Sequence, residues 1–299
     1  MHSGIASVGV LGGGLMGTGI AETAARAGYQ VRVFEPVAGS RPASRARLEK
    51  SVGRAVKAGK ISASEQESML ARVRYVGEIV ELCASEVVIE AVVEDPDVKL
   101  GYFRRLGEHV ADDALLASNT SSIPIAGLAS VVKNPGRVLG LHFFSPAPVM
   151  ALVEVVSALG TTQHTIERAT AFIRSLGKSP IATKDRSGFI VNMLLIPYLM
   201  AAVRMLEDGF ATRDDIDAGM KLGCGHPMGP LALADFIGLD VLYAICDSLY
   251  EEFKRPEYAP PPLLKRMLAT GWLGRKSGRG FYEYNEAAAG RLSAVAADS

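Results

Sequence analysis

Apolar positions in the first two thirds of the chain come in short runs, each closed by turn residues or followed by a helical spacing. The run Val8-Gly9-Val10-Leu11 reads as a buried strand that breaks into glycines. A helix rich in small residues follows (Ile20, Ala24, Ala25, Ala27), Gly28 ends it, and Gln30–Phe34 reads as a second strand closing on Glu35. A charged helical stretch then runs from Arg45 to about Arg74, with Gly59 and Ser62 marking a turn between two helices. Val87–Val93, Leu115–Ser118, Arg137–Leu141 and Leu152–Val156 read as further buried strands, the last with an acid, Glu154, at its centre. A helix near Thr165–Leu176 and a strand near Pro180–Thr183 complete an alternation that predicts a doubly wound α/β sheet.

From Gly188 onward the spacing is helical throughout. Helices are predicted over Phe189–Asp208, Thr212–Leu222, Leu231–Phe253 and Pro262–Ala269, with Thr212-x-x-Asp215 as a start signal. The boundary is set near Lys184–Ser187, giving a first domain over 1–186 and a second, all-helical domain over 187–299. The apolar excess in these helices predicts a subunit interface. Pro227-Met-Gly-Pro230 reads as a packing turn, Trp272 as an interface or core anchor, and the Ala-rich end from Glu286 as a frayed tail.

Composition narrows the class. The chain has 299 residues, and its 32 Lys plus Arg equal its 32 Asp plus Glu, so no global field favours nucleic acid or a membrane surface. No window approaches the roughly 18 apolar residues of a membrane span. No basic and apolar leader precedes Val8. Cys83, Cys224 and Cys246 are far apart and form no C-x-x-C, which reads as reduced, buried thiols in a cytoplasmic protein.

The glycines read Gly12-x-Gly14-x-x-Gly17, with Leu15 and Met16 between the last two. Gly12 permits a tight turn, Gly14 lets a pyrophosphate approach the backbone, and Gly17 lets the helix pack on the strand. The free N–H groups and positive end of that helix would face the phosphates. Glu35, about 20 residues on, is placed to accept hydrogen bonds from an adenosine ribose. Its charge favours NAD as cofactor, while Arg32 and Arg41 leave NADP open. Two further segments, Ser118-Asn119-Thr120-Ser121-Ser122 and His142-Phe143-Phe144-Ser145-Pro146, fall at strand ends, where ligands of such sheets bind. A carboxylate inside Leu-Val-Glu-Val-Val needs a buried partner. His142 on a neighbouring strand is a natural one, the acid holding one ring nitrogen while the other takes a proton. Lys50, Arg54, Lys57 and Lys60 offer either a phosphate-binding basic face or a solvated one.

Together Gly-Gly-Gly-Leu-Met-Gly17, Ile89-Glu-Ala-Val-Val-Glu94, Ser118–Ser122, Gly140-Leu-His-Phe-Phe144, Leu152-Val-Glu-Val155, Gly188-Phe-Ile-Val-Asn192 and Pro227–Pro230 resemble the L-3-hydroxyacyl-CoA dehydrogenase family, nearest its bacterial 3-hydroxybutyryl-CoA branch. The resemblance runs from about Ser7 to Tyr284. It implies a Rossmann-type domain with a helical hairpin insertion, a helical substrate and dimerisation domain, and NAD-dependent oxidation of a (3S)-hydroxyacyl-CoA. It matches His142 to the catalytic histidine, Glu154 to the acid that orients it, and Ser121 and Asn192 to residues that hold the substrate, with closure between domains. Glu94, Lys99, Asn119 and Lys276 match cofactor contacts, although Lys99 also reads as an exposed helix residue. Lys60 matches a CoA-binding lysine of the hairpin, and the serine expected beside it falls at Gly53, with Ser51 near.

One departure stands out. The family usually reads His-Phe-Phe-Asn-Pro, and this chain has Ser145. A serine hydroxyl is shorter than an amide and would reach the same oxygen only through a water. Two alternatives follow: a dehydrogenase of hydroxyacyl groups on an acyl carrier protein, and an NAD-binding homologue with impaired chemistry.

Overall fold

The computed structural model describes residues 5–284. Eight strands form one sheet: β1 (Ser7–Leu11), β2 (Gln30–Phe34), β3 (Val73–Tyr75), β4 (Val87–Glu90), β5 (Leu115–Ser118), β6 (Val138–Phe143), β7 (Leu152–Ser157) and β8 (Ser179–Lys184). Their order is β3-β2-β1-β4-β5-β6-β7-β8. All neighbours are parallel except β6 and β7, which run antiparallel. The order reverses between β1 and β4, so the crevice for a ligand opens beyond the carboxyl ends of these strands.

Side-chain alternation sorts the strands onto two cores. Val8, Val10, Val87, Ile89, Leu115, Ala117, Leu139 and Leu141 pack with α1 (Leu15–Arg26), α2 (Arg41–Lys57) and, later in the chain, α6 (Gln163–Ser175). Leu11, Val88, Leu116, Val138 and Val156 face the opposite core, with α4 (Pro96–His109) and α5 (Ile125–Ala129). A short α3 (Ala63–Ala71) follows α2 and starts with a reciprocal Ser62–Glu65 cap, which makes the hairpin. Period-two alternation places His142 and Glu154 opposite Leu141, Phe143, Val153 and Val155, hence on the α4/α5 side. Gly140 lies on that same side, where an added Cβ would stand 2.8 Å from the Val156 Cβ.

Several boundaries differ from the sequence reading. The helical stretch expected to about Arg74 ends at Ala71, and Arg74 lies in β3, a strand too short to show a period. The strand expected through Val93 stops at Glu90, because the Glu90 carboxylate accepts the Val92 N–H and turns the chain. Helix α4 was not anticipated as an element, though Asp95 caps Val98 N–H and Pro96 opens it, a legible start. Helix α5 is too short for a period and is capped from a distance by Asp185, which accepts from Ile125 and Ala126 N–H.

Backbone contacts divide the chain into a unit through Phe189 and a second from Ile190. The second unit comprises α7 (Val191–Glu207), α8 (Arg213–Cys224), α9 (Pro230–Ile237), α10 (Leu239–Phe253) and α11 (Pro262–Ala269). The expected Leu231–Phe253 helix is two helices, broken at Gly238 with φ 101°. Gly229 closes the Pro227–Pro230 turn against Asp217, whose carboxylate accepts from Leu231 and Ala232 N–H at the start of α9. Trp272 packs half-buried on this core with the Arg279 guanidinium 3.8 Å above its ring. Of the cysteines, Cys246 is buried and its thiol is pushed up to about 12 by burial, Cys83 is half-buried, and Cys224 is exposed, which corrects the expectation that all three are buried. Among the described residues no helix is long and apolar enough to cross a membrane. The expected tail from Glu286 lies outside the described residues.

Candidate active site

The glycine turn has the shape a dinucleotide requires. Gly12 adopts φ 104°, and a Cβ there would lie 2.5 Å from the Ala91 carbonyl oxygen. A Cβ at Gly17 would run into the Gly12 carbonyl, so α1 can pack on the turn only with glycine there. At Gly14 an added Cβ meets nothing within 4 Å, so the backbone is open on that side. Helix α1 begins there with no side-chain cap and no acid in its first turn. Its first N–H groups are therefore left for an anion, the arrangement that holds a pyrophosphate. Leu15 stands exposed beside this opening, and Met16 packs half-buried on the core. The Glu35 carboxylate accepts from Gly13 N–H and Val37 N–H, both at 2.8 Å, and keeps lone pairs for ribose hydroxyls. These residues fit NAD.

Neither arginine raised by the sequence reading sits on this turn. Arg32 donates to the Ala84 carbonyl and Ser85 hydroxyl, and Arg41 is exposed at the start of α2. The guanidinium that does reach the turn is Arg47, donating to the Gly13 carbonyl at 2.7 Å.

Beyond β4 and β5 lies a charged network with Lys99 and Glu90 buried and Glu94 at its exposed edge. Lys99 is 1% exposed, and its Nζ sits 2.7 Å from Glu90 Oε1 and 3.1 Å from Glu94 Oε2. The reading of Lys99 as an exposed helix residue is therefore overturned: two carboxylates supply the partners that let a lysine be buried. Ser118 Oγ donates to Glu90 Oε2 at 2.6 Å. Glu94 Oε1 accepts from the Thr120 hydroxyl, from Ser121 N–H at 3.0 Å and from Ser122 N–H and Oγ. Glu94 thus clamps the Ser118–Ser122 loop, with the half-buried Ser121 side chain on it. Burial works to raise the Glu94 carboxyl. The Lys99 ammonium and the hydrogen bonds from Thr120, Lys99 and Ser121 outweigh it and hold the group below its ordinary 4.5.

His142 and Glu154 are direct partners in the antiparallel register of β6 and β7. Nδ1 and Oε2 are 2.7 Å apart, with the imidazole 8% and the carboxylate 0% exposed. The ring is flanked by Phe144 at 4.6 Å and Phe189 at 5.4 Å between centroids. Phe189 holds φ 47°, a conformation that costs a bulky residue on the order of 1 kcal/mol or more. Asn119 accepts the Phe143 N–H at 2.9 Å, tying the ends of β5 and β6 together. Past Ser145, which is exposed and precedes a cis proline, the buried Lys178 ammonium donates to the Ala147 and Met150 carbonyls, both at 2.7 Å.

The first unit thus carries Gly12, Gly14, Gly17, Glu35, Glu94, Lys99, Asn119, Ser121 and His142 on the carboxyl-end side of its parallel strands, with Glu154 joining them from the amino-terminal half of the antiparallel β7. Lys57 closes α2 and is exposed, whereas Lys60 lies in the turn beyond it, not on the helix with Lys50 and Arg54. A Cβ added at Gly53 would meet only Gln66 Nε2, at 4.0 Å, so a larger side chain has room there. In the second unit, Asn192 is buried in the first turn of α7, and Lys276 donates to Asp240 Oδ2 at 2.6 Å. Sequence reading missed Arg47, Glu90 and Lys178. A glutamate in an otherwise apolar strand was the signal for Glu90, the same signal that drew attention to Glu154. Arg47 and Lys178 carry no such mark, since each is one of many basic residues.

The geometry agrees with the comparisons. The family model of the 3-hydroxyacyl-CoA dehydrogenase NAD binding domain matches residues 7–186, and that of the C-terminal domain matches 188–284. A 3-hydroxybutyryl-CoA dehydrogenase of Mycobacterium tuberculosis is 52% identical over 95% of this chain and 100% of its own. The human mitochondrial hydroxyacyl-coenzyme A dehydrogenase is 40% identical over 92% of this chain and 90% of its own. Among solved structures, FadB2 of Mycobacterium tuberculosis superposes with a TM-score of 0.92 at 52% identity, covering 94% of this chain and 99% of that one. The (S)-3-hydroxybutyryl-CoA dehydrogenase PaaH1 from Ralstonia eutropha gives 0.88 at 42% identity, covering 94% of this chain and 100% of that one. A Rossmann-type sheet with the dinucleotide turn, followed by a helical unit matched along its length, puts this chain in the 3-hydroxyacyl-CoA dehydrogenase family.

Proposed function

We propose that the chain interconverts (3S)-3-hydroxyacyl-CoA and 3-ketoacyl-CoA, with a short acyl chain such as 3-hydroxybutyryl, and that His142 is the general acid/base. The family supplies the class, an NAD-dependent oxidoreductase acting on CH–OH. The names of the relatives support the short 3-hydroxyacyl-CoA substrate, and the observation that carries the acid/base assignment is the 2.7 Å Nδ1–Oε2 bond between two buried, register-paired residues. NAD, when bound, supplies the hydride acceptor for C3.

The protein's own part is the proton. With Nδ1–H donated to Glu154, the His142 tautomer carries its lone pair on Nε2, which takes the hydroxyl proton as the C3 carbonyl forms. The buried carboxylate stabilises the imidazolium that results, and in the reverse direction Nε2 returns the proton. The Phe144 and Phe189 rings keep water from the imidazole and fix its plane. Ser121 donates to the substrate oxygen from a loop that Glu94 clamps. Asn192 orients the acyl group, and Lys57 and Lys60 meet CoA phosphates. A homodimer through the helical unit belongs to the same reading, supported by Leu194, Phe210 and Leu222, which are 72%, 79% and 86% exposed.

The test is NADH consumption with acetoacetyl-CoA and with the acetoacetyl group on an acyl carrier protein. Turnover of the CoA thioester at least as fast as the carrier form is expected. A salt-sensitive preference for the carrier form would favour the alternative raised by Gly53, and NADH binding without turnover of either would mark an impaired homologue.

A further inference from the structure

The adenosine end of the cofactor cleft holds a charged corner that the hydride chemistry does not use. Gly13 is gripped from both sides: Glu35 Oε2 accepts its N–H at 2.8 Å, and Arg47 Nη1 donates to its carbonyl at 2.7 Å. An added Cβ at Gly13 would run into Ser44 Oγ and lie 2.8 Å from Glu35 Oε2, so these groups crowd one point. Ser44 Oγ is 3.0 Å from Tyr75 Oη, and the Arg45 guanidinium lies 5.2 Å from the Tyr75 ring centre. Burial raises the Tyr75 phenol; the Ser44 hydrogen bond and then the charges of Arg45 and Arg47 oppose that rise, and the Glu49 carboxylate adds to it.

An acid at this place accepts from ribose hydroxyls and repels a 2′-phosphate. A guanidinium does the reverse, since its planar fork matches phosphate oxygens. Arg47 commits one donor to Gly13, and a guanidinium carries five. Its tether to Gly13 also fixes it on the turn whose N–H the carboxylate holds, instead of leaving it to sweep solvent.

We propose that Arg47 can hold a ribose 2′-phosphate, and that selectivity of this chain for NAD rests on the Glu35 carboxylate outweighing it. The inference rests on the NAD reading above. Selectivity on this reading does not come from the lack of a phosphate-binding group: Glu35 is set against a guanidinium already tied to the same turn.

The experiment measures dissociation constants of NADH and NADPH by nicotinamide fluorescence on the full chain, for the native protein, Glu35→Gln, Glu35→Ser, Arg47→Ala and Glu35→Gln/Arg47→Ala. Adenosine 2′,5′-bisphosphate and 5′-AMP serve as displacing probes. The native chain is expected to bind NADH at least tenfold more tightly than NADPH. Glu35→Gln or Glu35→Ser tightens NADPH at least tenfold, and adding Arg47→Ala removes most of that gain. With Glu35 intact, Arg47→Ala weakens adenosine 2′,5′-bisphosphate at least threefold more than it weakens 5′-AMP, an arm that decides the matter even if both Glu35 variants misfold. A gain that survives loss of Arg47, or a bisphosphate affinity indifferent to it, overturns the proposal. Absence of NADH binding by the native chain would overturn the cofactor reading itself, and this inference with it.

Discussion

A carboxylate in the middle of an apolar strand is the residue from which most of the chemistry can be read. Glu154 is fully buried, and its partner is the side chain that the register with β6 places directly across from it. Sequence alone made a partner necessary, because an unpaired buried carboxylate is too costly to keep. That the partner is His142 also followed from its position at a neighbouring strand end. The same logic, applied to Glu90, would have found Lys99 and shown it to be internal. Arg47 was not legible, because its role depends on which turn of α2 passes the glycine loop, a tertiary fact. Ser145 is the residue at which this chain departs from its family's usual motif, and it is exposed at the edge of the site. Ser145→Asn should leave the melting temperature unchanged and raise turnover of acetoacetyl-CoA several-fold. Steady-state kinetics check this, and unchanged or lower turnover would show that Ser145 carries no deficit.

Elements were legible where a period had room to develop. Strands β1, β2 and β5 and helices α1, α6 and α7 followed from alternation and helical spacing, whereas β3 and α5 were too short and α4 was passed over despite its cap. The loops that present the site are held by single polar groups that no periodicity reports. Lys178 is one: burial lowers its ammonium, and the two carbonyls it reaches fasten the segment after β6. Lys178→Met leaves those carbonyls unpaired and should destabilise the fold by about 1–3 kcal/mol. Thermal unfolding measures the loss, and a variant as stable as the native chain would contradict it. Glu94 is another. Because its folded value lies below 4.5, its contribution is complete above that pH and is lost as pH falls through the lowered value. NMR shifts of the Ser121 and Ser122 amides should therefore titrate with a midpoint below 4.5. A transition centred at or above 4.5 would contradict the clamp.

At the scale of the whole chain, two units carry separate parts of the account. The first holds the dinucleotide turn, the clamped serine loop and the His142–Glu154 pair on the ends of one sheet. The second carries Asn192 and Lys276 on a helical core with its own buried interior, and their roles toward substrate and cofactor belong to the proposal. The change of period near Gly188 announced this division, since strands and helices alternate before it and helices alone follow. Acyl chain length was not legible, because the walls of an acyl pocket come from residues far apart in sequence. The central claim is that this chain moves its proton through one buried, acid-held histidine. Single-turnover NADH oxidation with acetoacetyl-CoA, compared between the native chain, His142→Ala and Glu154→Gln, tests it most directly, with NADH affinity measured alongside. The account predicts a loss of roughly 10²–10⁴-fold for His142→Ala and a smaller but substantial loss for Glu154→Gln, with NADH affinity unchanged. His142→Ala turning over within tenfold of the native rate would contradict it.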